Sequence, residues 1–550
     1  MRARDFKAVG VIAAAALTLA ACGGDDDGDT QSGGGGTMVF AGSGDPIILD
    51  PAYISDGESA RVAFQIYETL VTSIEGTTEI GPKLATSWEA SEDGLTWTLE
   101  LRNDVTFHDG EPFNADAVCF NFDRWFNFTG LQQSPAVSYY WQTVFGGFAD
   151  GESLYESCEA TDEFTVDFTL TRPSGTFLPG LSMNSFAIAS PAALEEFDAD
   201  GIEGSEDDPR FTGTFGTEQP IGTGPFQFES WTRGDRVVLT RYEDYWGEGP
   251  ILDELIFRPI ADGPARRQAL EAGEIDGYDL VDPADRDSLE AAGFQIIERP
   301  AFNVGYIGFS QLEPPLDNLQ IRQAIAHAVD RQNIVDTNYP PGSEVATQFM
   351  PPEVVGWSEN VTQYEYDPDL ARQLIEESGV TDLTVEFWYP SDVSRPYMPN
   401  PQANFELMKA DLEAVGFTVE TNTAPWVPDY LDGNQLGEQQ IHILGWTGDY
   451  GDPDNFIGTF FKTEAGSLQF GLDEPEIRTL LEEAAAETDE ETRRGMYEEI
   501  NEMIMDILPG LPYVHTSPAL AFTEGVSGFT PGPLGPGNQE SFATVSLSQD

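Results

Sequence analysis

Apolar and polar positions alternate along much of the chain in patterns that favour strands interleaved with helices. Residues 84–107 alternate with a period of two around an Asp-Gly turn, which is typical of a half-buried hairpin. Apolar residues at helical spacing predict helices over 368–378 and 401–415, each followed by a strand-like run. Residues 198–220 show neither period and are rich in Gly, Asp, Glu and Thr, so we expect a long loop there. The overall alternation of strands and helices predicts an α/β fold.

One apolar run leads into a loop with unusual chemistry. Residues 441–444 (IHIL) form a short, β-branched run bounded by glycine, which predicts a buried strand. The following loop, residues 445–456, places Asp449 between Trp446 and Tyr450. An acid held between aromatic rings beside a buried strand is a candidate receptor for a cation. Asp, Gly and Pro also make ordinary surface turns, so the loop by itself leaves both interpretations open.

The N-terminal residues predict export rather than folding. Residues 1–21 combine a basic start with an apolar run that is too short for a comfortable membrane span, and they end in LAA before Cys22. This matches the bacterial lipobox, in which the signal is cut before the cysteine and the cysteine carries lipid. An ordinary secretory signal that happens to contain a cysteine is the alternative. Residues 22–36 predict a flexible tether, so we expect a protein anchored by lipid outside the cytoplasm, on the outer face of the cytoplasmic membrane or in the periplasm.

The remaining cysteines and the histidines bear on disulfides and metals. Cys119 and Cys158 are the other two cysteines, and in an exported protein we expect them to form a disulfide. Two separate buried thiols are the alternative. There is no CxxC pair or Cys/His cluster, and the four histidines are scattered, so no metal site and no cofactor is predicted.

Length and charge limit the function classes. The chain has 550 residues, which exceeds what one core usually supports, so two or three domains are expected. Its 96 acidic and 26 basic residues give a net charge of −70, a field that repels nucleic acid and anionic lipid. A cationic ligand and a saline habitat both remain as explanations of this charge. The absence of G-x-S-x-G, H-E-x-x-H and spaced Cys/His sets argues against a secreted hydrolase, and no catalytic residue is predicted.

Several stretches together resemble the extracellular solute-binding proteins of family 5, the peptide/nickel/opine-type receptors of ABC importers. They follow the family's order over almost all of the chain after the leader, and the later ones look most like the dipeptide receptors of that family. The stretches are residues 84–89, 93–97, 101–110, 221–226, 303–306, 322–325, 395–400 and 445–456.

The resemblance implies a two-lobed periplasmic-binding-protein-like clamp (type II, cluster C) with an additional inserted α+β domain. Two hinge crossings, near residues 303 and 516, would join the lobes, and ligand would close them. The implied ranges are 37–80 with 218–303 and 516–550 for lobe I, 81–217 for the inserted domain and 304–515 for lobe II.

The resemblance also assigns residues to a ligand site. In the dipeptide receptors an Asp of the GWTGD loop meets the ligand's α-ammonium, and the matching residue is Asp449. An Arg of the RPY stretch meets the ligand's carboxylate, and the matching residue is Arg395, for which an ordinary salt bridge is the alternative. The further expected contacts are Trp446, Tyr397 and Trp426 in side-chain pockets, with core packing as the alternative for each, and Gly57 with Ser55 beside it, where Ser/Asp before a helix is otherwise an N-cap.

The function that follows is a monomeric, lipid-anchored receptor that captures dipeptides or short peptides and delivers them to the permease of an ABC importer, without catalysis. The alternative is the same clamp for a nickel chelate, haem, an opine or an oligosaccharide. Which peptides bind and which permease is the partner do not follow from the residues.

Overall fold

The computed structural model of the protein describes residues 35–205 and 208–548. The predicted leader, Cys22 and residues 22–34 of the predicted tether lie outside the described residues. The strands in chain order are β1 (Thr37–Gly42), β2 (Val71–Ser73), β3 (Ile80–Pro82), β4 (Ala85–Ala90), β5 (Thr96–Leu101), β6 (Tyr155–Asp162), β7 (Thr165–Leu170), β8 (Ile202–Ser205), β9 (Asp208–Phe211), β10 (Phe226–Thr232), β11 (Arg236–Arg241), β12 (Glu254–Pro259), β13 (Gly277–Asp279), β14 (Gln295–Glu298), β15 (Asn303–Phe309), β16 (Thr384–Pro390), β17 (Thr418–Ala424), β18 (Ile441–Thr447), β19 (Gly510–Val514), β20 (Ala519–Phe522), β21 (Val526–Ser527) and β22 (Ser546–Leu547).

Helices alternate with these strands through most of the chain. The α-helices are α1 (Gly57–Ile66), α2 (Ala115–Phe126), α3 (Tyr139–Phe145), α4 (Phe177–Gly180), α5 (Pro191–Glu196), α6 (Phe215–Glu218), α7 (Gly263–Glu271), α8 (Arg286–Ala291), α9 (Leu319–Ala328), α10 (Arg331–Asn338), α11 (Pro368–Ser378), α12 (Pro401–Val415), α13 (Leu431–Gln435), α14 (Ile457–Phe461), α15 (Glu464–Leu468), α16 (Pro475–Ala486) and α17 (Glu490–Ile507). Short 3-10 turns occur at Pro51–Tyr53, Gly130–Gln133, Asn184–Phe186, Pro283–Asp285 and Pro453–Asn455, and a π-turn at Trp426–Tyr430.

The first α/β unit is a mixed sheet covered by helices. Within the described residues its strand order is β10-β11-β12-β1-β13-β20-β14. β1 lies in the middle and pairs in parallel with β12 and β13, while β20 pairs antiparallel with β13 and β14. β20 belongs to the C-terminal part of the chain, which therefore completes a sheet begun by the N-terminal part.

The second α/β unit is a smaller sheet with the order β17-β16-β18-β15-β19 in the described part of the chain. All seven residues of β15 are buried, as expected of a strand covered on both faces. Gly308 on β15 faces His442 on β18, and a Cβ at Gly308 would lie 1.9 Å from His442 Nε2. Any side chain at position 308 would therefore clash with the buried imidazole of His442, so this position requires glycine.

The helices of the second unit are well delimited by their end residues. The predicted helices 368–378 and 401–415 are confirmed with the predicted bounds. Asn400 caps the longer one by accepting from the Ala403 N–H at 3.0 Å, and Pro401 follows at its first position. Gly416 ends it in the left-handed conformation, with φ of 115°.

The third unit, the four-stranded unit, has the order β4-β5-β7-β6 in the described residues and packs on α2. A disulfide joins Cys119 on α2 to Cys158 on β6, with the Cα atoms 5.2 Å apart. The prediction of a long loop over 198–220 is wrong, because this region contains the hairpin β8–β9 and the short helix α6. The polar residues there form a hairpin at the surface. Its strands lack the alternating apolar residues from which they could have been predicted.

The chain passes between the two α/β sheets at two places within the described ranges, residues 299–302 and 515–518. The Asn303 side chain ties these crossings together: it donates to the Thr516 carbonyl at 2.9 Å and accepts from the Thr516 N–H at 2.9 Å. His515 Nδ1 lies 2.7 Å from the Asn303 carbonyl. The two crossing segments are therefore adjacent and hydrogen-bonded to each other. The lobe and domain boundaries given above remain predictions.

Candidate ligand-binding site

A cavity of about 730 Å³ lies where the three units meet. Its wall is drawn from the start of α1, from α3, from the loop after β16, from the end of β18 and from residues 533–538 near the C-terminus. The seven predicted site residues all contribute to the wall: Ser55, Gly57, Arg395, Tyr397, Trp426, Trp446 and Asp449. Residues separated by nearly four hundred positions are thus brought to one cavity, of a size suited to a small ligand.

Asp449 follows β18, which runs three residues further than the apolar run 441–444. Its Oδ1 accepts from the Tyr140 hydroxyl at 2.9 Å, and its Oδ2 accepts from the Asn455 amide at 3.2 Å. Its backbone N–H donates to Asn455 Oδ1 at 2.7 Å, which fixes the loop. The described residues include no basic partner for this carboxylate.

The environment of Asp449 raises the pKa of its carboxyl group. Burial raises the pKa of Asp449 to about 6, against the lowering effect of its hydrogen bonds with Asn455 and Tyr140. A half-buried carboxylate that has only neutral donors is stabilised further by a cation placed beside it. The geometry therefore suits a ligand that carries a positive charge to this end of the cavity.

Arg395 offers the opposite charge on the loop after β16. Its side chain is exposed, and its guanidinium carbon lies 5.1 Å from the centre of the Trp426 ring. It makes no ion pair with any of the described residues, which argues against the salt-bridge alternative. A guanidinium that rests on an aromatic face keeps its planar fork available for a carboxylate.

The three predicted aromatic contacts differ in how fully each side chain is packed against other residues. Tyr397 is 8% exposed and its ring lies against Gly445, where a Cβ would sit 2.3 Å from the ring, so it is largely a core residue with an edge on the cavity. Trp446 packs edge-on against Phe460 at 6.1 Å and remains half-buried. Trp426 stacks on Tyr430 at 5.9 Å and under Arg395.

The start of α1 forms the opposite wall. The Asp56 carboxylate accepts from the Glu58 and Ser59 N–H groups at 3.1 and 2.9 Å, so the N-cap interpretation is confirmed for Asp56. Ser55 and Gly57 are exposed toward the cavity, and a Cβ at Gly57 would meet nothing within 4 Å. Their contact with a ligand remains a prediction.

Comparison with known proteins decides the family. Residues 79–467 match the family model described as "Bacterial extracellular solute-binding proteins, family 5 Middle". The chain belongs to this family. Its fold is accordingly the two-lobed clamp of family 5; below, the first α/β unit is called lobe I and the second is called lobe II.

Relatives of this family 5 protein differ in the ligands that their names give. The dipeptide-binding protein of Escherichia coli (strain K12) is 32% identical over 529 residues, covering 93% of this chain and 94% of that protein. The heme-binding protein A of Haemophilus influenzae is 30% identical over 522 residues, covering 93% and 92%. The crystal structure of a dipeptide-binding protein from Pseudoalteromonas sp. SM9913 in complex with Met-Leu superposes with a TM-score of 0.76 at 27% identity, covering 93% of this chain and all (100%) of that one.

Sequence reasoning missed the contribution of the four-stranded unit to the site of this family 5 protein. Tyr140 on α3 is the hydroxyl donor to Asp449, although it lies 309 positions away in the chain. Burial and the nearby Asp449 charge raise the pKa of Tyr140, so it stays protonated as a donor. The only sequence signal was a Tyr-Tyr pair, which is not informative by itself.

A buried charge network in the cavity wall was also missed. Arg299 binds Asp279 with nitrogen–oxygen distances of 2.6 and 3.0 Å, and it binds Glu540 through two nitrogens, one of them at 2.9 Å. Arg61 joins the same two acids from α1. The two arginines hold the pKa of Asp279 well below its usual range, although its burial acts in the opposite direction. The network ties α1, β13 and the C-terminal segment into one rigid wall of the site.

Other classes of site are not seen in the described ranges. No group of three His, Cys, Asp or Glu residues there could hold a metal ion, and the wall of the cavity contains neither His nor Cys. Among the described helices, none has the length and apolar character to cross a membrane.

Proposed function

We propose that this family 5 protein is a lipid-anchored, extracytoplasmic receptor of an ABC importer that captures dipeptides or other short peptides between its lobes. The observation that carries the proposal is a pair of opposite charges on the cavity wall, neither of which forms an ion pair within the described residues. Asp449 accepts hydrogen bonds from neutral donors, and Arg395 packs on the Trp426 ring. A zwitterion enclosed between lobes loses its water and needs a fixed partner for each charge. The named ligands of the relatives from E. coli and Pseudoalteromonas support the same class.

The cavity also supports a limit on ligand length. Its volume of about 730 Å³ is within the range of small-molecule sites, and both charged side chains belong to lobe II. Two residues of extended peptide span at most roughly 7 Å, and four span about twice that. The separation of Asp449 and Arg395 in the closed protein would therefore act as a ruler that selects short peptides.

Haem and nickel chelates are the weaker alternatives. A family 5 relative is named for haem, but ligands of this kind are usually held by imidazole or thiolate donors. The described cavity wall offers neither, whereas it offers a carboxylate and a guanidinium. The proposal therefore assigns peptides rather than metal complexes to this cavity.

Calorimetric titration with end-blocked peptides tests the proposal. Met-Leu should bind, whereas N-acetyl-Met-Leu and Met-Leu-amide should each bind at least tenfold more weakly, because each leaves one protein charge unpaired. Equal affinity for the three compounds, or no binding by any short peptide while a haem or nickel chelate binds, would contradict the proposal.

The proposed anchor and assembly state need separate tests. Cys22→Ser should abolish metabolic labelling by an alkynyl fatty acid and release the protein from membranes, whereas retained labelling would exclude Cys22 as the lipidated residue. Size-exclusion chromatography with light scattering should give the mass of a monomer with and without peptide.

A further inference from the structure

The cavity is closed on one side by residues 533–538 (PLGPGN), here called the C-terminal strap. Composition predicts a turn-rich tail with short strands over residues 516–550, and all six residues of the strap line the cavity. Leu534 is 4% exposed and packs in the hydrophobic core of lobe II. Gly537 lies against Ala60 of α1, where a Cβ on the glycine would come within 2.3 Å of the Ala60 Cβ. The strap therefore spans from lobe I to lobe II across the ligand site.

The side chain of Asn538 makes the most specific contacts of the strap. Its amide Nδ2 donates to the backbone carbonyl of Asp449 at 2.9 Å. Its Oδ1 accepts from the backbone N–H of Asn184, in the 3-10 turn Asn184–Phe186, at 2.9 Å. One side chain thus joins Asp449, the proposed partner of the ligand's positive charge, to a turn that is distant in sequence.

The other end of the strap is fixed to lobe I. Gln539 donates to the carbonyls of Ile74 and Thr77 at 2.8 and 2.6 Å. Glu540 is fully buried and binds Arg299 in the charge network. Because these anchors belong to lobe I and Asp449 belongs to lobe II, the bond from Asn538 to Asp449 crosses the cleft.

We propose that Asn538 is a positioning residue that fixes the Asp449 loop against the ligand's ammonium group as the lobes close. The inference rests on the proposed function and deepens it, because it adds the C-terminal strap to the residues that select a free peptide N-terminus. Tyr140 holds the Asp449 carboxylate and Asn538 holds its carbonyl, so the loop is held from two sides. Loss of the Asn538 donor should leave the loop free to shift away from the ammonium group.

The test compares Asn538→Ala, Asn538→Asp and Gln295→Ala in the full-length mature protein. Asp keeps the acceptor for Asn184 but removes the donor to Asp449, so it separates a ligand-positioning role from a structural one. We expect both Asn538 variants to bind Met-Leu about tenfold more weakly at pH 7, with a smaller ratio between the affinities for Met-Leu and N-acetyl-Met-Leu. Without ligand, Asn538→Ala should have the lower melting temperature of the two, because it alone also loses the bond from Asn184.

Gln295→Ala is the matched control in lobe I, because its side-chain amide likewise donates to backbone carbonyls, those of Thr523 and Val526 at 2.8 and 2.7 Å, and it does not line the cavity. It should lower the melting temperature and leave the affinity ratio unchanged. Wild-type affinity and ratio in Asn538→Asp would overturn the positioning role, as would an equal loss of the ratio in Gln295→Ala. If the wild-type protein binds neither Met-Leu nor any other short peptide, the proposed function fails and this inference fails with it.

Discussion

The raised pKa of Asp449 makes peptide affinity depend on pH in a defined window. Burial places the pKa of this carboxyl at about 6 in the ligand-free cavity. The ligand's ammonium group pairs with the ionised form, so binding below pH 6 must first remove a proton. The peptide's own groups, with pKa values of about 8 for the amine and about 3.5 for the carboxyl, keep their charges between pH 5 and 7.

The magnitude follows from the ionised fraction of Asp449. Lowering the pH from 7 to 5 reduces that fraction from about nine-tenths to about one-tenth, so affinity should fall about tenfold, or ~1.4 kcal/mol. Burial lowers the pKa of His108, His442 and His515 to about 4, which keeps these three groups neutral across the same window. Affinity should therefore be constant above pH 7 and decline as the pH falls through 6.

Calorimetry at pH 7, 6 and 5 measures this effect directly. Titrations of Met-Leu in two buffers of different protonation enthalpy count the released protons, and we expect nearly one per peptide at pH 5 and about none at pH 7. Asp449→Asn is the matched control: it should bind more weakly by ~3–5 kcal/mol at pH 7 and show no pH dependence. A flat profile in the wild-type protein, or the same slope in Asp449→Asn, would refute the reasoning.

Three further changes test how the site is supported. Replacing Cys119 and Cys158 together by Ala opens a loop with a sequence separation of 39 and should lower the free energy of unfolding by ~4 kcal/mol in urea titrations, and unchanged stability would contradict this. Glu540→Gln leaves two buried arginines short of a counter-charge and should cost ~3–5 kcal/mol, seen as a lower melting temperature. Gly175→Ala places a Cβ 2.4 Å from the Glu487 carbonyl oxygen of lobe II and should weaken Met-Leu binding, whereas Gly495→Ala meets nothing within 4 Å and should add up to ~1 kcal/mol of stability. Equal peptide affinity in the two glycine variants would exclude a closure contact at Gly175.

Local sequence signals predicted the parts of the fold that local chemistry determines. The helix from Pro401 to Val415 has its capping Asn and its terminal Gly next to it in the chain, so its bounds could be assigned from the residues themselves. The strand before Asp449 could be recognised by its apolar run, but it extends to Thr447 because pairing with β15 continues to that point. The hairpin β8–β9 was missed because its ladder uses polar residues that carry no apolar period.

For the site, too, local sequence signals predicted only part of what the structure shows. The placement of Asp449 and Arg395 at one cavity could be predicted because each lies in a stretch that resembles a known receptor family. Tyr140 and Asn538 could not, because their roles exist only once segments hundreds of residues apart have packed together. The charge network is similar: an arginine and two acids from three separate segments pair in the interior, and no spacing in the sequence indicates it.

Mass spectrometry of the ligand carried through purification tests the central claim most directly. Protein purified under native conditions and then denatured should release short peptides with free amino and carboxyl ends, in amounts close to one per protein. The variant carrying both Asp449→Asn and Arg395→Gln should release almost none. Release of haem, a metal chelate or a sugar from the wild-type protein, with no peptide, would contradict the account.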